Sequence, residues 1–358
     1  MKNTKKVRDI SEIDKNLAVE TSINREGLRF YDAEWEPFKI YGIYKEDGMF
    51  RRMPEAVAEQ VSVGVHELHS NTAGGRVRFV TDSPYVAIKT EYMPCKMSHF
   101  ALTGSAGFDM YIECNGETRY RGTFTPPFQV TDGYESVLDF SDNSEKGITI
   151  HFPLYSSVSK LYIGLKEGSV LKAAPGYRIE KPVVYYGSSV TQGGCASRPG
   201  NSYQSILSRH LDCDHINLGF SGSAKGEEAM ADYIKDLNMS VFVMDYDYNA
   251  PNIAHLRATH SKMFQKIRQA QPELPIIIMS RPRYYLLEVE QERLEIIHNT
   301  YLAAKAEGDQ NVYFISSPKL MEKASDEGTV DGCHPTDYGF HSMASAVEEI
   351  LGELLGHL

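Results

Sequence analysis

Two short segments of the sequence carry side chains that could act together as a nucleophile and its activating base. The first is a Gly/Ser-rich turn, residues 187–194, which directly follows the apolar run 182–186 and presents Ser189. The second lies far downstream, where Asp331 and His334 stand three residues apart in an Asp-Gly-Cys-His-Pro segment. A hydroxyl, an imidazole and a carboxylate are the nucleophile, the base and the orienting group of acyl-transfer chemistry.

Each segment also has an ordinary explanation. Gly/Ser turns after strands are common, and most of them only reverse the chain. The turn does not end in Gly-Lys-Ser/Thr, and its glycines do not match the dinucleotide-binding spacing, so nucleotide binding is not indicated. His334 is one of 12 histidines, and it is singled out because Asp331 precedes it by one short turn and Pro335 fixes the backbone after it.

Two segments between these ends suit the task of holding a developing oxyanion. Residues 217–222 follow an apolar stretch, and a glycine such as Gly222 lets a backbone N–H approach the substrate closely. Residues 240–251 have the pattern of a buried strand that ends in polar residues, where the Asn249 amide could donate a further hydrogen bond. Taken alone, Asn249 is better explained as a turn or helix-capping residue.

The order and spacing of the four segments resemble those of the SGNH, or GDSL-type, esterase and lipase superfamily. The resemblance covers roughly the second half of the chain. It implies that Ser189 is the nucleophile, with His334 as its base and Asp331 as the group that orients the base. It further implies an oxyanion hole formed by the backbone N–H groups of Ser189 and Gly222 and by the side-chain amide of Asn249.

The sequence departs from the family pattern in two places. Ser188 stands where the family has an aspartate before the nucleophile. Residues 245–249 replace the Gly-x-Asn-Asp form of the third segment. The first and last segments match most closely, and the turn around Ser189 is not the Gly-x-Ser-x-Gly elbow of the α/β-hydrolases.

The resemblance implies a reaction through a covalent acyl-enzyme. A serine hydroxyl is a negligible nucleophile at neutral pH, so a base has to take its proton as it attacks. An imidazole, with an unperturbed pKa of about 6.5, suits that role. The carboxylate of Asp331 would fix the tautomer of His334 and stabilise the imidazolium that forms.

Further side chains near these segments are candidates for other roles. Asp247 and Arg281 are candidate substrate contacts, although an arginine at that position could either reach a substrate carboxylate or only cap nearby carbonyls. Cys195 and Cys333 lie close in sequence to the nucleophile and to the base, which opens a Cys/His alternative. We do not favour it, because a residue next to His334 on a tight turn points away from that imidazole.

The second half of the chain predicts an α/β fold with a parallel sheet. Short apolar runs alternate with helical patterns, as expected for a sheet with helices on both faces. The carboxyl ends of such strands converge on one edge, where ligands bind. The family resemblance implies the SGNH-type, flavodoxin-like three-layer α/β/α domain. The predicted strands are 183–186, 215–218, 241–245, 275–279 and 312–315, and the predicted helices include 291–307 and 339–354.

The first half predicts an antiparallel β-sandwich, jelly-roll-like in form, because short alternating runs follow one another between turn signals. The predicted strands are 61–65, 75–80, 85–90, 147–152 and 160–165. Residues 107–111, Gly-Phe-Asp-Met-Tyr, resemble the Gly-x-Asp-Leu-Tyr segment of the β-rich domain that precedes some bacterial SGNH-type hydrolases. A turn followed by a strand explains this segment without a substrate contact, and we favour that structural role.

The length of the chain favours two domains, since 358 residues exceed the size at which a single core usually keeps growing. We place an N-terminal extension at 1–27, a β-sandwich accessory domain at 28–176 and an SGNH-type hydrolase domain at 177–358.

Composition limits the partners. A net charge of −11 and a pI near 5.6 argue against binding to nucleic acid or to an anionic membrane. No apolar run approaches the ~20 residues that span a bilayer, and the basic N-terminus is not followed by the apolar part of a secretory signal. Five cysteines without Cys-x-x-Cys pairs indicate reduced thiols, so we expect a cytoplasmic enzyme. We expect no metal and no organic cofactor, and the sequence leaves the oligomeric state open.

The sequence therefore predicts a serine esterase that hydrolyses short acyl esters, with O-acetyl groups on carbohydrates as the favoured substrate. Two alternatives stay open. One is an acyltransferase that uses the same triad, and the other is a carbohydrate-binding protein whose hydrolase domain is vestigial.

Overall fold

A computed structural model describes residues 21–114 and 116–356 of the chain. Most of the predicted extension at 1–27 therefore lies outside the described residues. Its last part runs along the β-rich half, where the Thr21 hydroxyl and the Ser22 backbone N–H both donate to Glu135, at 2.9 and 2.8 Å.

The first half of the chain forms antiparallel sheets. Its strands are β1 (Leu28–Asp32), β2 (Lys39–Tyr41), β3 (Tyr44–Glu46), β4 (Met49–Arg51), β5 (Arg76–Thr81), β6 (Tyr85–Met93), β7 (Phe108–Cys114), β8 (Glu117–Phe124), β9 (Gly133–Asp139), β10 (Lys146–His151), β11 (Ser157–Lys166) and β12 (Leu171–Lys172), and its helices are α1 (Glu55–Val61), α2 (Val63–Leu68) and α3 (Leu102–Ser105). One sheet has the order β1-β11-β6-β9. The other has the order β12-β5-β10-β7-β8, with β2 also paired to β5, and β3 and β4 form a separate hairpin.

The two large sheets share one apolar core. Phe79 of β5 and Ile148 of β10 come from one sheet, whereas Ile88 of β6 and Ile163 of β11 come from the other. All four side chains are buried. Two antiparallel sheets that bury their inner faces against each other form a sandwich, as the alternating runs predicted.

The second half contains a parallel sheet. Its strands are β13 (Ile179–Gly187), β14 (Cys213–Gly219), β15 (Val241–Asp245), β16 (Ile276–Met279) and β17 (Val312–Ile315). Its helices are α4 (Ser189–Gln192), α5 (Tyr203–Leu211), α6 (Glu228–Lys235), α7 (Ile253–Ala270), α8 (Glu288–Ala306), α9 (Ser317–Leu320) and α10 (Asp337–Gly356), with 3-10 turns at Pro199–Asn201, Asp247–Asn249 and Ser325–Gly328. The strand order β14-β13-β15-β16-β17 is the flavodoxin-like order 2-1-3-4-5, which confirms the predicted fold class.

Both faces of the parallel sheet are buried. Val183 and Val243 pack on the side of α5 and α10, whereas Val184 and Phe242 pack on the side of α6, α7 and α8. The central strands β15 and β16 are apolar runs except for Asp245 at the end of β15, as expected for strands that are covered on both faces. Across the described ranges, none of the helices combines the length and the apolar character that crossing a membrane requires.

The predicted strand at 61–65 is wrong, because α1 ends at Val61 and α2 begins at Val63. Ser62 separates the two helices, and its hydroxyl accepts a hydrogen bond from the Val65 N–H at 3.2 Å. Val65 is fully buried, in the same core as Met230 of α6, whereas Val63 is 76% exposed. Three valines at every second position imitate a strand, but packing against the second half makes the segment helical.

The aspartate of the Gly-x-Asp segment joins the two halves. Asp109 is fully buried, and its Oδ1 lies 2.8 Å from Nδ1 of His151. Its Oδ2 accepts hydrogen bonds from the second half, from Arg198 at 3.0 Å and from the Gly200 N–H at 2.9 Å. Burial alone raises the pKa of Asp109, but His151 and Arg198 outweigh it and hold the pKa below its usual range.

We expect Asp109→Ala to lower the free energy of unfolding by about 3–5 kcal/mol, because it leaves Arg198 without its buried partner. Urea titration measures this loss. Asp139→Ala is the matched control, since its ion pair with Arg25 is largely exposed and is expected to contribute at most about 1 kcal/mol. Equal losses in the two variants would show that the buried contacts of Asp109 contribute no more to stability than an exposed ion pair does.

Candidate active site

The nucleophile turn is built by a strand that ends in a glycine. β13 ends at Gly187, whose neighbours leave no room for a side chain: a Cβ there would lie 2.1 Å from the Thr191 hydroxyl and 2.2 Å from the Asp245 carbonyl. The Ser188 hydroxyl then caps α4 by accepting from the Val190 N–H at 3.2 Å. Ser189 is the first residue of α4, so its backbone N–H has no acceptor within the helix.

The structure brings Ser189, His334 and Asp331 together. The Ser189 Oγ lies 2.9 Å from Nε2 of His334, and Nδ1 of His334 lies 2.7 Å from Oδ2 of Asp331. The other carboxylate oxygen accepts from the backbone N–H groups of Cys333 and His334, at 3.0 and 2.8 Å. The loop closes on itself, since the Val330 N–H donates to the His334 carbonyl at 2.8 Å.

The charge on Asp331 decides the tautomer of the imidazole. Burial by itself raises the pKa of Asp331, but hydrogen bonds from the His334 backbone, the His334 ring and the Cys333 backbone outweigh it and lower the pKa to about 2. Asp331 is therefore a carboxylate at neutral pH and accepts the proton on Nδ1. Nε2 is left free to accept the Ser189 hydroxyl proton.

Gly222 lies in the turn after β14, and its φ of +71° is in the region that favours glycine. Gly219, at the end of β14, is in register with Gly187 at the end of β13, so the two following turns lie side by side. Gln192 of α4 ties them together, because its Oε1 accepts from the Ser221 N–H at 2.9 Å. Within the described residues, the Gly222 N–H has no hydrogen-bond acceptor.

Asn249 ends the 3-10 turn after β15, and it faces the same loop. Its Oδ1 accepts from the Ala224 N–H at 3.4 Å, a long bond that directs the carbonyl of the amide toward the loop of Gly222. Nδ2 of Asn249 has no acceptor in the described part of the chain. The three predicted oxyanion donors thus come from the ends of three adjacent strands, β14, β13 and β15.

Two family models match the chain over adjacent stretches. The model of the GDSL-like lipase/acylhydrolase family matches residues 180–352, and the model of the N-terminal domain of SGNH-hydrolase-type esterases, named for its Gly-x-Asp-Leu-Tyr motif, matches residues 28–171. The chain belongs to the GDSL-like, SGNH-type esterase family. It is accordingly a carboxylic ester hydrolase by family.

Solved structures agree with this assignment. A protein assigned as a GDSL-like lipase from Bacteroides ovatus is 27% identical, with a TM-score of 0.83 over 92% of this chain and 98% of that one. A salicylyl-acyltransferase from a tetracycline biosynthetic pathway is 19% identical, with a TM-score of 0.74 over the same shares. An acetyl xylan esterase from the rumen bacterium Butyrivibrio proteoclasticus shares the fold at 14% identity, with a TM-score of 0.58 over 92% of this chain and 99% of that one. A comparison with curated protein sequences gives no match.

Asp247 and Arg281, the two candidate substrate contacts, bind each other instead. Arg281 donates to the Asp247 carboxylate through Nε at 2.9 Å and through a terminal nitrogen at 3.0 Å. Arg293 adds a bond to Asp247 at 2.8 Å. The Asp247 side chain is 1% exposed, so it has neither a free acceptor nor access to a substrate.

This ionic cluster holds the turn that carries Asn249. Asp247 begins the turn that ends at Asn249, and both arginines hold that turn against α8. Arg283 extends the cluster to the base, since it contacts Glu290 at 3.2 Å and donates to the Gly332 carbonyl at 2.6 Å. Sequence reasoning missed this link, because residue spacing does not indicate which carboxylates a set of arginines will meet.

Side chains of the β-rich half also reach the site, and sequence reasoning missed them. The Tyr155 hydroxyl donates to the Ser189 carbonyl at 3.2 Å. The ring centroid of His99 lies 5.5 Å from that of His334. Gln192 donates to the Asn71 side chain at 3.0 Å. The family resemblance located the triad, but contacts between two domains leave no periodic signal in either one.

Cys195 lies beside the base and has an unusual backbone, with a φ of +74°. One ligand atom each from His99, Cys195 and His334 lie within 4.8 Å of one another, which is close enough for a metal ion. However, burial, followed by the charge of Asp331, raises the pKa of Cys195 to about 11. Burial likewise raises the pKa of Cys333 to about 11. Both thiols are protonated at neutral pH and are therefore poor nucleophiles.

Asp245 is a buried acid beneath the nucleophile turn. It is 2% exposed, and it accepts from the Thr191 hydroxyl at 2.9 Å. Burial raises its pKa well above the usual value, with a further rise from the charge of Asp247. The folded protein therefore holds a proton here that the unfolded chain releases, so this group destabilises the fold as the pH rises through the unfolded-state pKa.

We expect Asp245→Asn to gain stability relative to the wild type as the pH rises. An amide of the same shape still accepts from Thr191 but has no proton to lose. Urea midpoints of the two proteins at pH 5 and at pH 8 measure the difference. A difference that stays constant between the two pH values would contradict a protonated Asp245.

Proposed function

We propose that this family member removes short acyl groups, O-acetyl groups in particular, from carbohydrates through a Ser189-His334-Asp331 triad. The observation that carries the proposal is the pair of hydrogen bonds, of 2.9 and 2.7 Å, that joins the three side chains in that order. This arrangement supports a serine nucleophile with its base and its orienting carboxylate.

In the acylation step, the Ser189 Oγ attacks the ester carbonyl carbon while Nε2 of His334 takes the hydroxyl proton. Asp331 stabilises the imidazolium that forms. As the tetrahedral intermediate collapses, the C–O bond to the sugar breaks, and His334 gives the proton to the leaving alkoxide. Water then repeats the sequence on the acyl-enzyme, which releases the carboxylic acid and regenerates Ser189.

The negative charge on the tetrahedral intermediate needs donors that are already in place. The N–H groups of Ser189 and Gly222 and the Nδ2 of Asn249 are the proposed set. All three lack acceptors among the described residues, so they lose no existing bond when the oxyanion forms. Fixed donors of this kind stabilise the transition state without reorganisation.

The acetyl part of the proposal is supported by a similar structure that is named as an acetyl xylan esterase. The carbohydrate part of the proposal is supported by similar structures named as carbohydrate esterases and as an acetyl xylan esterase.

An acyltransferase is the second candidate. The similarity to a salicylyl-acyltransferase, over 98% of that chain, favours it. The chemistry differs only in the second step, in which an acceptor alcohol replaces water. A vestigial, carbohydrate-binding role is disfavoured, because the nucleophile, base and orienting group are all present and in contact.

We expect a graded loss of activity on 4-nitrophenyl acetate. Ser189→Ala and His334→Ala remove the nucleophile and the base, so turnover should fall to background, a loss of about 10⁵ or more. Asn249→Ala removes one donor and should reduce kcat by about 10²–10³. Asn299→Ala, at an exposed position of α8, is the control and should keep the wild-type kcat. Full activity in either of the first two variants would overturn the triad.

Product analysis should separate hydrolysis from transfer. We expect acetate and free sugar from an acetylated xylo-oligosaccharide, with the same acetate yield when a tenfold excess of an unacetylated oligosaccharide is added. Ser189→Ala serves as the blank. If the added acceptor becomes acetylated at the expense of acetate, the protein is an acyltransferase.

A further inference from the structure

A polar cavity lies between the two halves of the molecule, remote from Ser189. Its volume is about 260 Å³, and it is lined by Arg78 of β5 and by Arg209 near the end of α5, with Tyr111 and Tyr177 beside them. Arg209 precedes β14, so the cavity lies at the amino edge of the parallel sheet. The triad lies at the opposite, carboxyl edge.

The two guanidinium groups are stacked and incompletely bonded. Arg209 lies 4.0 Å from the ring centroid of Tyr111, and Arg78 lies 4.3 Å from that of Tyr177. Each group keeps one terminal nitrogen that is buried and has no hydrogen-bond partner within residues 21–114 and 116–356. A guanidinium stacked on an aromatic face leaves its N–H edge available for an anion.

The acids near the two arginines are engaged by other partners, and Asp214, whose charge acts on Arg78, is itself bound by Arg76. Arg78 is only 6% exposed, and its contact is with the half-exposed Glu113 at 3.5 Å, the limit of a hydrogen bond. Arg209 has no carboxylate within 4 Å in the described part of the chain. Asp212, which also lines the cavity, has one oxygen engaged by the Arg178 N–H at 3.1 Å. Asp109 is already bound by His151 and Arg198.

Buried guanidinium groups are costly unless a counter-charge and hydrogen bonds satisfy them. Burial lowers the pKa of Arg209, and the charge of Asp109 offsets this only in part. We propose that this cavity binds a small oxyanion, a phosphate group, between the guanidinium groups of Arg78 and Arg209. Because one arginine comes from each half, the anion would bridge the two domains. The proposal is independent of the proposed esterase function.

Phosphate binding should be saturable and should need both arginines. We expect inorganic phosphate at constant ionic strength, with chloride as the balancing anion, to raise the Tm by about 2–4 °C. Titration calorimetry should show one site, with the affinity at least about tenfold weaker in Arg78→Gln and in Arg209→Gln. Arg119→Gln is the control, since that side chain is 73% exposed on β8 and should bind phosphate as the wild type does.

Glucose 6-phosphate, beside glucose, tests the source of the phosphate group. Tighter binding of the ester than of free phosphate would indicate a phosphorylated metabolite, and equal or weaker binding would indicate the free ion. If either glutamine variant fails to fold, crystals of the wild-type protein soaked in selenate give the deciding measurement. They should show an anomalous peak in contact with both arginines. The absence of that peak, or unchanged affinity in folded variants, would overturn the proposal.

Discussion

The hydrogen bond between the Ser189 hydroxyl and Nε2 of His334 joins residues that are 145 positions apart. Nothing local holds them together. Ser189 begins the helix that follows β13, the second strand of the sheet order, and His334 lies on the loop that leads into α10. The bond therefore depends on a parallel sheet whose strands all end at one edge. The turns that carry Gly222 and Asn249 begin at the same edge.

The register of the sheet also places the three proposed oxyanion donors. Gly187 is paired with both Gly219 and Asp245, so the turns that follow β13, β14 and β15 begin at the same level. The buried contacts then set the details. Asp247 and its arginines hold the turn of Asn249, and Arg283 connects the same cluster to the loop of the base. Asp247 and the two arginines are thus bound to one another and hold the turn that carries Asn249.

The β-rich half also supports the site from outside the parallel sheet. Tyr155 holds the nucleophile turn, and Arg52 donates to the carbonyls of Asn217 and Gly219 at the end of β14, at 3.1 and 2.5 Å. Asp109 fixes the segment that follows the nucleophile helix. The β-rich half therefore holds several segments of the site in place. It also places the ring of His99 beside that of His334.

The sequence predicted the strands best where the residues of a strand are all buried. Strands β15, β16 and β17 were predicted to within one residue, because they are largely apolar runs, whereas the more polar first residues of β13 and β14 were missed. β8 and β9 were not predicted, since β8 is polar and largely exposed and β9 is mostly half-buried. The strand prediction for residues 61–65 was wrong because this segment packs against α6, which lies more than 160 residues away in the chain. The roles of Asp247 and Arg281 needed three dimensions for the same reason, since ion pairs between distant segments leave no spacing to detect.

The most direct test of the central claim is to trap the nucleophile. The protein is treated with a small, irreversible phosphonate ester that mimics the tetrahedral intermediate, and the modified residue is identified by peptide mass spectrometry as activity falls. The account predicts one label per chain, on Ser189, and no label in His334→Ala under the same conditions. Loss of activity in step with a label on Cys195, or on any residue other than Ser189, would contradict it.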